Sequence, residues 1–179
     1  RIHDCCAILP PLSAGMLILC LGYCTVDAIA TLPHFPVEDE KMRSRSMQML
    51  AGGNAFNAAA AFAHDGEHQV YLVSCCGDDA LSEIISSEMK RCHVLDTLMQ
   101  REVATTSPFS YVMVTKGKRT IVHSASPALS LNVADARTAL DLSGISFESF
   151  ALVYCDGRYA REVTTLLRES WSSTAPGTG

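Results

Sequence analysis

The architecture is decided by residues 52–92, which read GGNAFNAAAAFAHDGEHQVYLVSCCGDDALSEIISSEMKRC. An alanine-rich stretch follows a Gly-Asn turn at Asn54 and stops near Gly66, as expected of a helix that packs closely against a sheet. The apolar run 69–75 predicts a buried strand, and residues 80–92 carry apolar side chains at helical spacing. Helix, strand and helix in succession are typical of a parallel sheet with helices on both faces.

The pattern continues outward from this stretch in both directions. The elements predicted there are strands at 16–21, 110–115, 120–124 and 151–155, an extended ribbon at 40–50, and helices at 132–142 and 161–170, with a second apolar stretch at 26–32. The two short strands 110–115 and 120–124 flank a Lys-Gly-Lys-Arg turn and predict a hairpin. We therefore predict an α/β fold of three layers, αβα, with the ribbon and the hairpin forming a small additional β layer.

Composition excludes several classes of function. The 179 residues contain 14 Lys and Arg against 19 Asp and Glu, so the net charge of −5 disfavours non-specific binding to nucleic acid. With 48% hydrophobic and 18% charged residues, the chain is expected to be globular. The run 5–26 has 22 uncharged residues, but Pro10 and Pro11 interrupt it, so we predict no membrane segment.

The eight cysteines fit neither a disulfide framework nor a zinc ribbon, because they include two adjacent pairs and no C-x-x-C motif. Cys20 and Cys24 share one side of an extended chain, but no second pair is spaced to complete a metal site. Reduced, mostly buried thiols in a cytoplasmic protein are the interpretation that this pattern favours.

The candidate binding residues are Asp27 and a group at the start of the alanine-rich helix. Asp27 is the lone charge in the stretch 26–32, and a carboxylate in apolar surroundings needs a partner. Asn54 and Asn57 lie three residues apart on the first turn of the helix, and Gly53 has no Cβ to keep a ligand from the backbone. A carboxylate, two carboxamides and free N–H groups suit a polyhydroxylated ligand, since each hydroxyl both donates and accepts hydrogen bonds.

Other polar residues have more than one interpretation. His123 lies near Arg119 and either contacts a phosphate or has a structural role. Asp78 and Asp79 either bind magnesium or cap the helix that follows them. The cluster of Lys41, Arg43 and Arg45 either forms a solvated face or contacts phosphate.

Residues from about 16 to about 170 resemble the ribokinase-like (PfkB-type) carbohydrate kinases. The motifs that carry the resemblance are Gly22 followed by Val26-Asp27, Pro36 with Glu38-Asp39, Gly52-Gly53-Asn54-Ala55-Phe56-Asn57 through Gly66, Gly77-Asp78-Asp79, and Arg119-Thr120-Ile121-Val122-His123. The stretch 119–122 and Asp156-Gly157-Arg158-Tyr159 are most similar to the ketohexokinase-like and plant-type members.

The resemblance implies a ribokinase-like fold and an ATP-dependent transfer of phosphate to a sugar or nucleoside hydroxyl, with Mg²⁺ as the accompanying ion. Asp27, Gly53, Asn54 and Asn57 match the residues that hold the sugar, and Arg119 matches an arginine near the transferred phosphate. The segments 40–51 and 109–124 match a β lid over the sugar, which makes a dimer contact in several members. No nucleic-acid or membrane partner is implied.

The resemblance covers only the N-terminal half of the family's domain. The Gly-Ala-Gly-Asp signature, whose aspartate is the catalytic base, does not occur in these 179 residues. We therefore expect an N-terminal extension (1–15), the N-terminal part of a kinase domain (16–171) and a frayed tail (172–179), with no catalytic residue in this chain. A non-catalytic sugar-binding or lid-dimerising module and a truncated gene product are the alternatives.

The role assigned to Gly53 leads to an expectation about a variant. If the missing Cβ admits a ligand to the start of the helix, Gly53→Val should weaken binding more than it weakens folding.

Overall fold

The computed structural model describes residues 14–172 and contains nine strands and four α-helices within that range. The elements are β1 (Leu17–Leu21), β2 (Thr25–Thr31), β3 (Ser46–Gly52), α1 (Asn54–Phe62), β4 (Gln69–Gly77), α2 (Ala80–Arg91), β5 (Val94–Leu95), β6 (Met99–Glu102), β7 (Phe109–Thr115), β8 (Lys118–Ser124), α3 (Val133–Leu142), β9 (Phe150–Cys155) and α4 (Ala160–Ser172). The predicted extension and tail lie outside the described residues, apart from residues 14, 15 and 172.

The main sheet is parallel and has β1 near its centre. Its strand order is β5-β4-β1-β9, and β6 pairs with the end of β4 beyond β5. Ile18 and Cys20 of β1 pack with α1 and α2, whereas Leu19 and Leu21 pack with α3 and α4. Each of these large apolar side chains contributes roughly 1.5–3 kcal/mol when it is fully buried. Burial on both faces of β1 confirms the predicted three-layer αβα fold.

A second, four-stranded sheet has the order β3-β2-β7-β8 and forms the lid. The strands β2 and β7 are parallel, and the two outer pairs are antiparallel. The segments matched to the family's lid did not include β2, yet β2 is one of the two inner strands of this sheet. In β2, the small buried residues Val26, Ala28 and Ala30 alternate with partly exposed ones, as expected of a strand with two different faces.

The predicted hairpin is present, and its turn sets the register of the lid. Lys116 and Gly117 have φ angles of 48° and 75°, so both central residues are left-handed, as in a type I′ turn. The turn pairs Thr115 with Lys118, and the same register places Ser110 opposite His123.

The sequence analysis missed two short strands, β5 and β6, and misplaced several helix ends. β5 and β6 span only two and four residues, too few to show a period. Helix α1 ends at Phe62 rather than near Gly66, and a turn closed by the bond from Gly66 N to Ala63 O bridges the gap. Helix α4 begins at Ala160, one residue before the predicted start.

The cysteines within the described residues are free thiols. Cys20, Cys24, Cys75 and Cys76 are buried, as the composition predicted. Burial raises the pKa of Cys20 to about 12 and the pKa of Cys75 to about 11. These thiols therefore pack as small apolar groups. None of the described helices combines the length and the apolarity that crossing a bilayer requires.

Asp79 caps helix α2 and also ties it to the segment that leads into the lid. Its carboxylate accepts hydrogen bonds from Ser82 N at 3.1 Å, Ser107 N at 2.8 Å and Ser107 Oγ at 2.7 Å. Burial raises the pKa of Asp79, but the hydrogen bonds from Ser107 and from the first turn of α2 outweigh this and hold the pKa below its usual value. The structure thus supports the capping interpretation of Asp79.

We expect Asp79→Ala to lower the free energy of unfolding by about 1–3 kcal/mol at pH 7, because the variant loses a helix cap and two bonds to Ser107. The pKa of Asp79 is lower in the folded state, so its contribution is present above the unfolded pKa of about 4 and is lost as the pH falls below it. Urea denaturation at pH 7 and pH 3 measures both effects. Asp78→Ala is the control, since no side-chain bond of Asp78 is found among the described residues. A difference between wild type and Asp79→Ala that stays constant down to pH 3 would contradict this account.

Candidate functional site

A cleft of about 300 Å³ lies between the lid and the carboxyl ends of β1 and β9. Ligands of parallel α/β sheets bind at this end of the strands. The residues that line the cleft are Tyr23, Thr25, Asp27, Gly53, Asn54, Asn57, Ser110, Arg119, Ile121, His123, Asp156 and Arg158. The structure therefore brings together all the residues that the sequence analysis matched to the sugar and phosphate sites.

A second cavity of similar volume, about 310 Å³, lies between α3, α4 and the loop that follows α3. None of the predicted site residues lines it. Arg137 at its rim forms an ion pair with Glu169 at 2.9 Å. The cleft under the lid is the better candidate for a site, because polar groups from five separate segments converge there.

Asp27 projects from the inner face of the lid toward the start of α1. Its neighbours in the sheet are Leu50 and Ser110, and Ser110 is in turn opposite His123. A Cβ on Gly52 would collide with the Asp27 carboxylate, so glycine is needed there to leave room for it. Within the part of the chain that the structure describes, the Asp27 side chain has no hydrogen-bond partner.

Asn54 and Asn57 extend from the first turn of α1 on the opposite side of the cleft. Both side chains are exposed, and among residues 14–172 neither forms a hydrogen bond. The N-cap of α1 is Gly53, which provides no side-chain hydrogen bond. Capping therefore does not occupy the two carboxamides, and they are free to bind a ligand.

The structure gives a different reason for the glycine at position 53 than access of a ligand to the backbone. Its φ of 92° lies in the region that favours glycine, and a Cβ there would collide with the backbone carbonyl of Tyr23. The missing Cβ thus lets the loop after β1 approach α1, and the fold itself needs this glycine. Gly53 also lines the cleft, but the expectation that its substitution weakens binding more than folding does not fit the geometry.

Asp156 is the important residue of the cleft that the sequence analysis did not assign to the site. Its Oδ2 accepts hydrogen bonds from Tyr23 N at 2.9 Å and Ala55 N at 3.2 Å, and its Oδ1 accepts one from Arg158 N at 2.8 Å. Gly22 has no Cβ, and a Cβ there would collide with this carboxylate. The carboxylate occupies the N-terminus of α1, where the helix dipole favours an anion.

A signal for Asp156 was present in the sequence. It directly follows the apolar strand β9, and an acid at the carboxyl end of a strand points to the ligand-binding edge of a parallel sheet. Its partners Tyr23 and Ala55 lie 133 and 101 residues away, so the contacts themselves could not be read from spacing.

Tyr23, His123 and Arg158 form one wall of the cleft. The Tyr23 hydroxyl shares a hydrogen bond of 2.8 Å with His123 Nε2, and His123 Nδ1 lies 3.1 Å from Ser110 Oγ. The guanidinium carbon of Arg158 is 5.1 Å from the centre of the Tyr23 ring. Burial raises the pKa of Tyr23 to about 12, and the charge of Arg158 opposes this shift. His123 is thus bonded through both ring nitrogens, which supports a structural role for it.

The basic side chains that the sequence analysis considered for phosphate binding lie at different places in the structure. Arg119 lines the cleft from β8 and has no ion-pair partner among the described residues. Lys41 and Arg43 line a separate shallow pocket with Met42 and Ser44, away from the cleft. The structure thus leaves Arg119 and Arg158 as the cations available to a phosphate in the cleft.

The described residues fit a sugar better than they fit a nucleotide with its metal ion. Asp78 and Asp79 do not line the cleft, and Asp79 is used as a helix cap. Three backbone N–H groups bind the Asp156 carboxylate, which leaves Asp27 as the cleft's free acid within residues 14–172. One cluster with metal-ligand spacing, Asp65, Glu67 and His68, lies on the loop between α1 and β4, at the opposite end of the sheet.

Comparison with known proteins finds carbohydrate kinases both by sequence and by structure. The family model described as "pfkB family carbohydrate kinase" matches residues 16–173. The ribokinase of Bacillus subtilis (strain 168) is 28% identical over 131 residues, which are 70% of this chain and 44% of that protein. Ribokinase from Giardia lamblia has a similar structure with a TM-score of 0.72 at 14% identity, covering 89% of this chain and 52% of that one.

Fructokinase from Xylella fastidiosa, solved with bound ATP, superposes with a TM-score of 0.66 at 21% identity, covering 89% of this chain and 49% of that one. At such identities the two solved structures establish the shared fold. The chain spans about half the length of the relatives that it matches.

The collision that a Cβ would meet at Gly53 predicts a loss of stability. We expect Gly53→Ala to lower the free energy of unfolding by about 2 kcal/mol or more, because the variant adds a backbone clash to the strain of a positive φ. Gly66→Ala is the matched control: Gly66 has a φ of 72° but open space around it, so that variant should lose only about 1 kcal/mol. Urea denaturation compares them. Normal stability in Gly53→Ala together with weakened sugar binding would restore the original interpretation of Gly53.

Proposed function

Because the chain belongs to the pfkB family of carbohydrate kinases, we propose that its cleft binds a sugar or nucleoside and forms the acceptor half of an ATP-dependent phosphotransferase. The observation that carries this proposal is the convergence of Asp27, Asn54 and Asn57. They come from two different layers of the fold, they line one cleft, and none has a hydrogen-bond partner among the described residues. Free polar groups that face one another across a cleft are suited to a ligand rich in hydroxyls.

Each side chain has a distinct role in this proposal. The Asp27 carboxylate accepts hydrogen bonds from ligand hydroxyls, and the carboxamides of Asn54 and Asn57 both donate and accept them. The Arg119 guanidinium offers its charge to the transferred phosphate, for which its planar donors are well suited. Gly52 leaves space for Asp27, and Gly53 lets the loop after β1 pack against α1.

Asp156 keeps the cleft in shape. Its carboxylate joins the backbone of Tyr23 to the first turn of α1, and so fixes the distance between the loop after β1 and the two asparagines. Positioning of this kind matters in phosphoryl transfer, where catalysis consists mainly of orientation and stabilisation of charge.

ATP, Mg²⁺ and the catalytic base are assigned to other parts of the whole protein. The chain spans about half the length of the relatives that it matches, and the Gly-Ala-Gly-Asp signature does not occur in its 179 residues. The free thiols support a cytoplasmic location. The stretches 119–122 and 156–159 support a relationship to the ketohexokinase-like and plant-type members within the family.

A lid-mediated dimer is a second candidate role for this chain. On the outer face of the lid, Met47, Met49 and Val122 expose 57%, 40% and 57% of their surface, an apolar patch that a second copy could cover. Sedimentation velocity of the chain tests this, and a monomer at all concentrations would contradict it.

We expect Asp27→Asn to weaken sugar binding by about 10- to 100-fold, because hydrogen bonds to a charged acceptor are the strongest in such a site. The free energy of unfolding should change by no more than about 0.5 kcal/mol, since the carboxylate has no partner within the described residues. Isothermal titration with ribose, fructose and a panel of nucleosides gives the affinities. Asp65→Asn, on the loop at the far end of the sheet, is the control. A variant that loses stability and keeps its affinity would show that Asp27 is structural.

A further prediction concerns the transfer of phosphate by this chain. Residues 1–179 alone should bind a sugar of this panel but transfer no phosphate from ATP to it, because the family's catalytic signature is missing from the sequence. An assay that couples ADP release to NADH oxidation measures the transfer. Light scattering shows whether the chain associates, as expected if β9 presents a free edge. A soluble monomer with substantial turnover would contradict the assignment of catalysis to the other half of the domain.

A further inference from the structure

Strand β8 is the exposed edge of the lid. Among the described strands it pairs only with β7, and all seven of its residues are exposed. Within residues 14–172, its only side-chain hydrogen bond to a residue outside the lid sheet joins His123 to the hydroxyl of Tyr23. The two rings also meet edge to face, with their centres 5.4 Å apart. Among the described residues, one side-chain hydrogen bond therefore links the edge strand of the lid to the body of the molecule.

The Tyr23 end of this connection is held firmly. Its backbone N–H donates to Asp156, Arg158 lies over one side of its ring, and the ring of Tyr159 is 6.0 Å away. The hydroxyl of Tyr159 in turn accepts a hydrogen bond from the buried thiol of Cys75 at 3.1 Å, on β4. Tyr23 is thus tied to the main sheet through several independent contacts.

The His123 end is held equally well within the lid. His123 Nδ1 and Ser110 Oγ share a hydrogen bond, and Ser110 is buried on the neighbouring strand β7. Ser110 Oγ also lies 3.4 Å from Thr25 Oγ1, on β2. Hydroxyl groups donate and accept, so the connection from Tyr23 to Ser110 forms with either neutral tautomer of the imidazole.

We infer that Tyr23 and His123 form a latch that fastens the free edge of the lid to the body across the cleft. Breaking the hydrogen bond frees β8 from the body while β7 stays paired with β2. Since Ser110, His123 and Tyr23 all line the cleft, the latch also closes one wall around whatever the cleft contains. Its role as a positioning device for the acceptor rests on the proposed function, but its role in holding the lid does not.

Hydrogen exchange without any ligand tests the latch directly. In Tyr23→Phe, which keeps the ring and its contact with Arg158, the amides of β8 that are bonded to β7 should exchange about 2- to 10-fold faster, the range expected from loss of one net hydrogen bond. The amides of β4 should keep their wild-type rates. The matched control is Tyr111→Phe: Tyr111 lies in the same sheet on β7, and its hydroxyl has no hydrogen-bond partner among the described residues.

Variants of His123 test the same bond from the other side. His123→Phe should speed exchange in β8 at least as much as Tyr23→Phe does, because it also loses the bond to Ser110. The double variant should be no faster than His123→Phe, because Tyr23→Phe then removes no further bond. His123→Gln, whose amide can still bond to the hydroxyl, should restore part of the protection. Unchanged exchange in Tyr23→Phe, an increase that includes β4, or additive effects in the double variant would each overturn the latch.

The effect of the latch on sugar binding is measured separately, with ribose and fructose as the probes. If either sugar binds, Tyr23→Phe should raise its dissociation rate about 3- to 10-fold and leave the association rate nearly unchanged, as for removal of a closing contact. An unchanged dissociation rate in a variant with faster exchange would overturn the positioning role. If neither these sugars nor the nucleoside panel binds the wild-type chain, the proposed function fails, and the exchange data still decide whether the latch exists.

Discussion

The carboxylate of Asp156 is the contact on which the rest of the site depends. It gathers backbone N–H groups from the loop after β1, from the start of α1 and from its own loop before α4. These three donors hold the carboxylate at the N-terminus of α1, where the helix dipole favours an anion. A Cβ at position 22 would collide with this carboxylate, and a Cβ at position 53 would collide with the backbone carbonyl of Tyr23, so both positions require glycine. Two glycines and one acid therefore bring three distant segments to one point.

The lid depends on this point as well. Tyr23 is fixed by Asp156, and the hydroxyl of Tyr23 is the contact of the body with His123 on the lid edge. On the lid itself, Asp27, Ser110 and His123 lie side by side because the register of three strands aligns them. The polar groups of the cleft thus derive their positions from two rigid frames, the main sheet and the lid sheet, which are joined at a few places. A site between two such frames can change shape when the joint opens, without disturbing either frame.

The relation to the pfkB family is consistent with this arrangement. The matching region spans nearly all of the described chain but only about half of each relative, and it includes the cleft and the lid. In the proposed whole enzyme, the phosphate-donor side is expected to meet this chain at β9, which is an edge strand among the described residues, and at Arg119 on the lid. The fold and the cleft are observed in these residues, whereas catalysis is proposed for the whole enzyme.

Much of the fold follows from local sequence, and the contacts in the cleft do not. Periodicity in residues 52–92 sets the order of helix and strand, and the alanine-rich face of α1 permits its close packing. The Lys-Gly-Lys-Arg stretch between two short strands predicted the hairpin, and the structure shows that Lys116 and Gly117 supply the backbone twist that suits antiparallel strands. The isolation of Asp27 in an apolar stretch, together with two asparagines three residues apart at a helix start, also marked Asp27, Asn54 and Asn57 as candidate site residues. Only the tertiary structure showed that β2 belongs to the lid, that Gly53 serves the backbone of Tyr23, and that Asp156 and His123 hold the cleft together. The physical reason is that these contacts join residues about 30 to 130 positions apart in the chain. Strand order and register bring such residues together, and neither leaves a periodic pattern in the sequence.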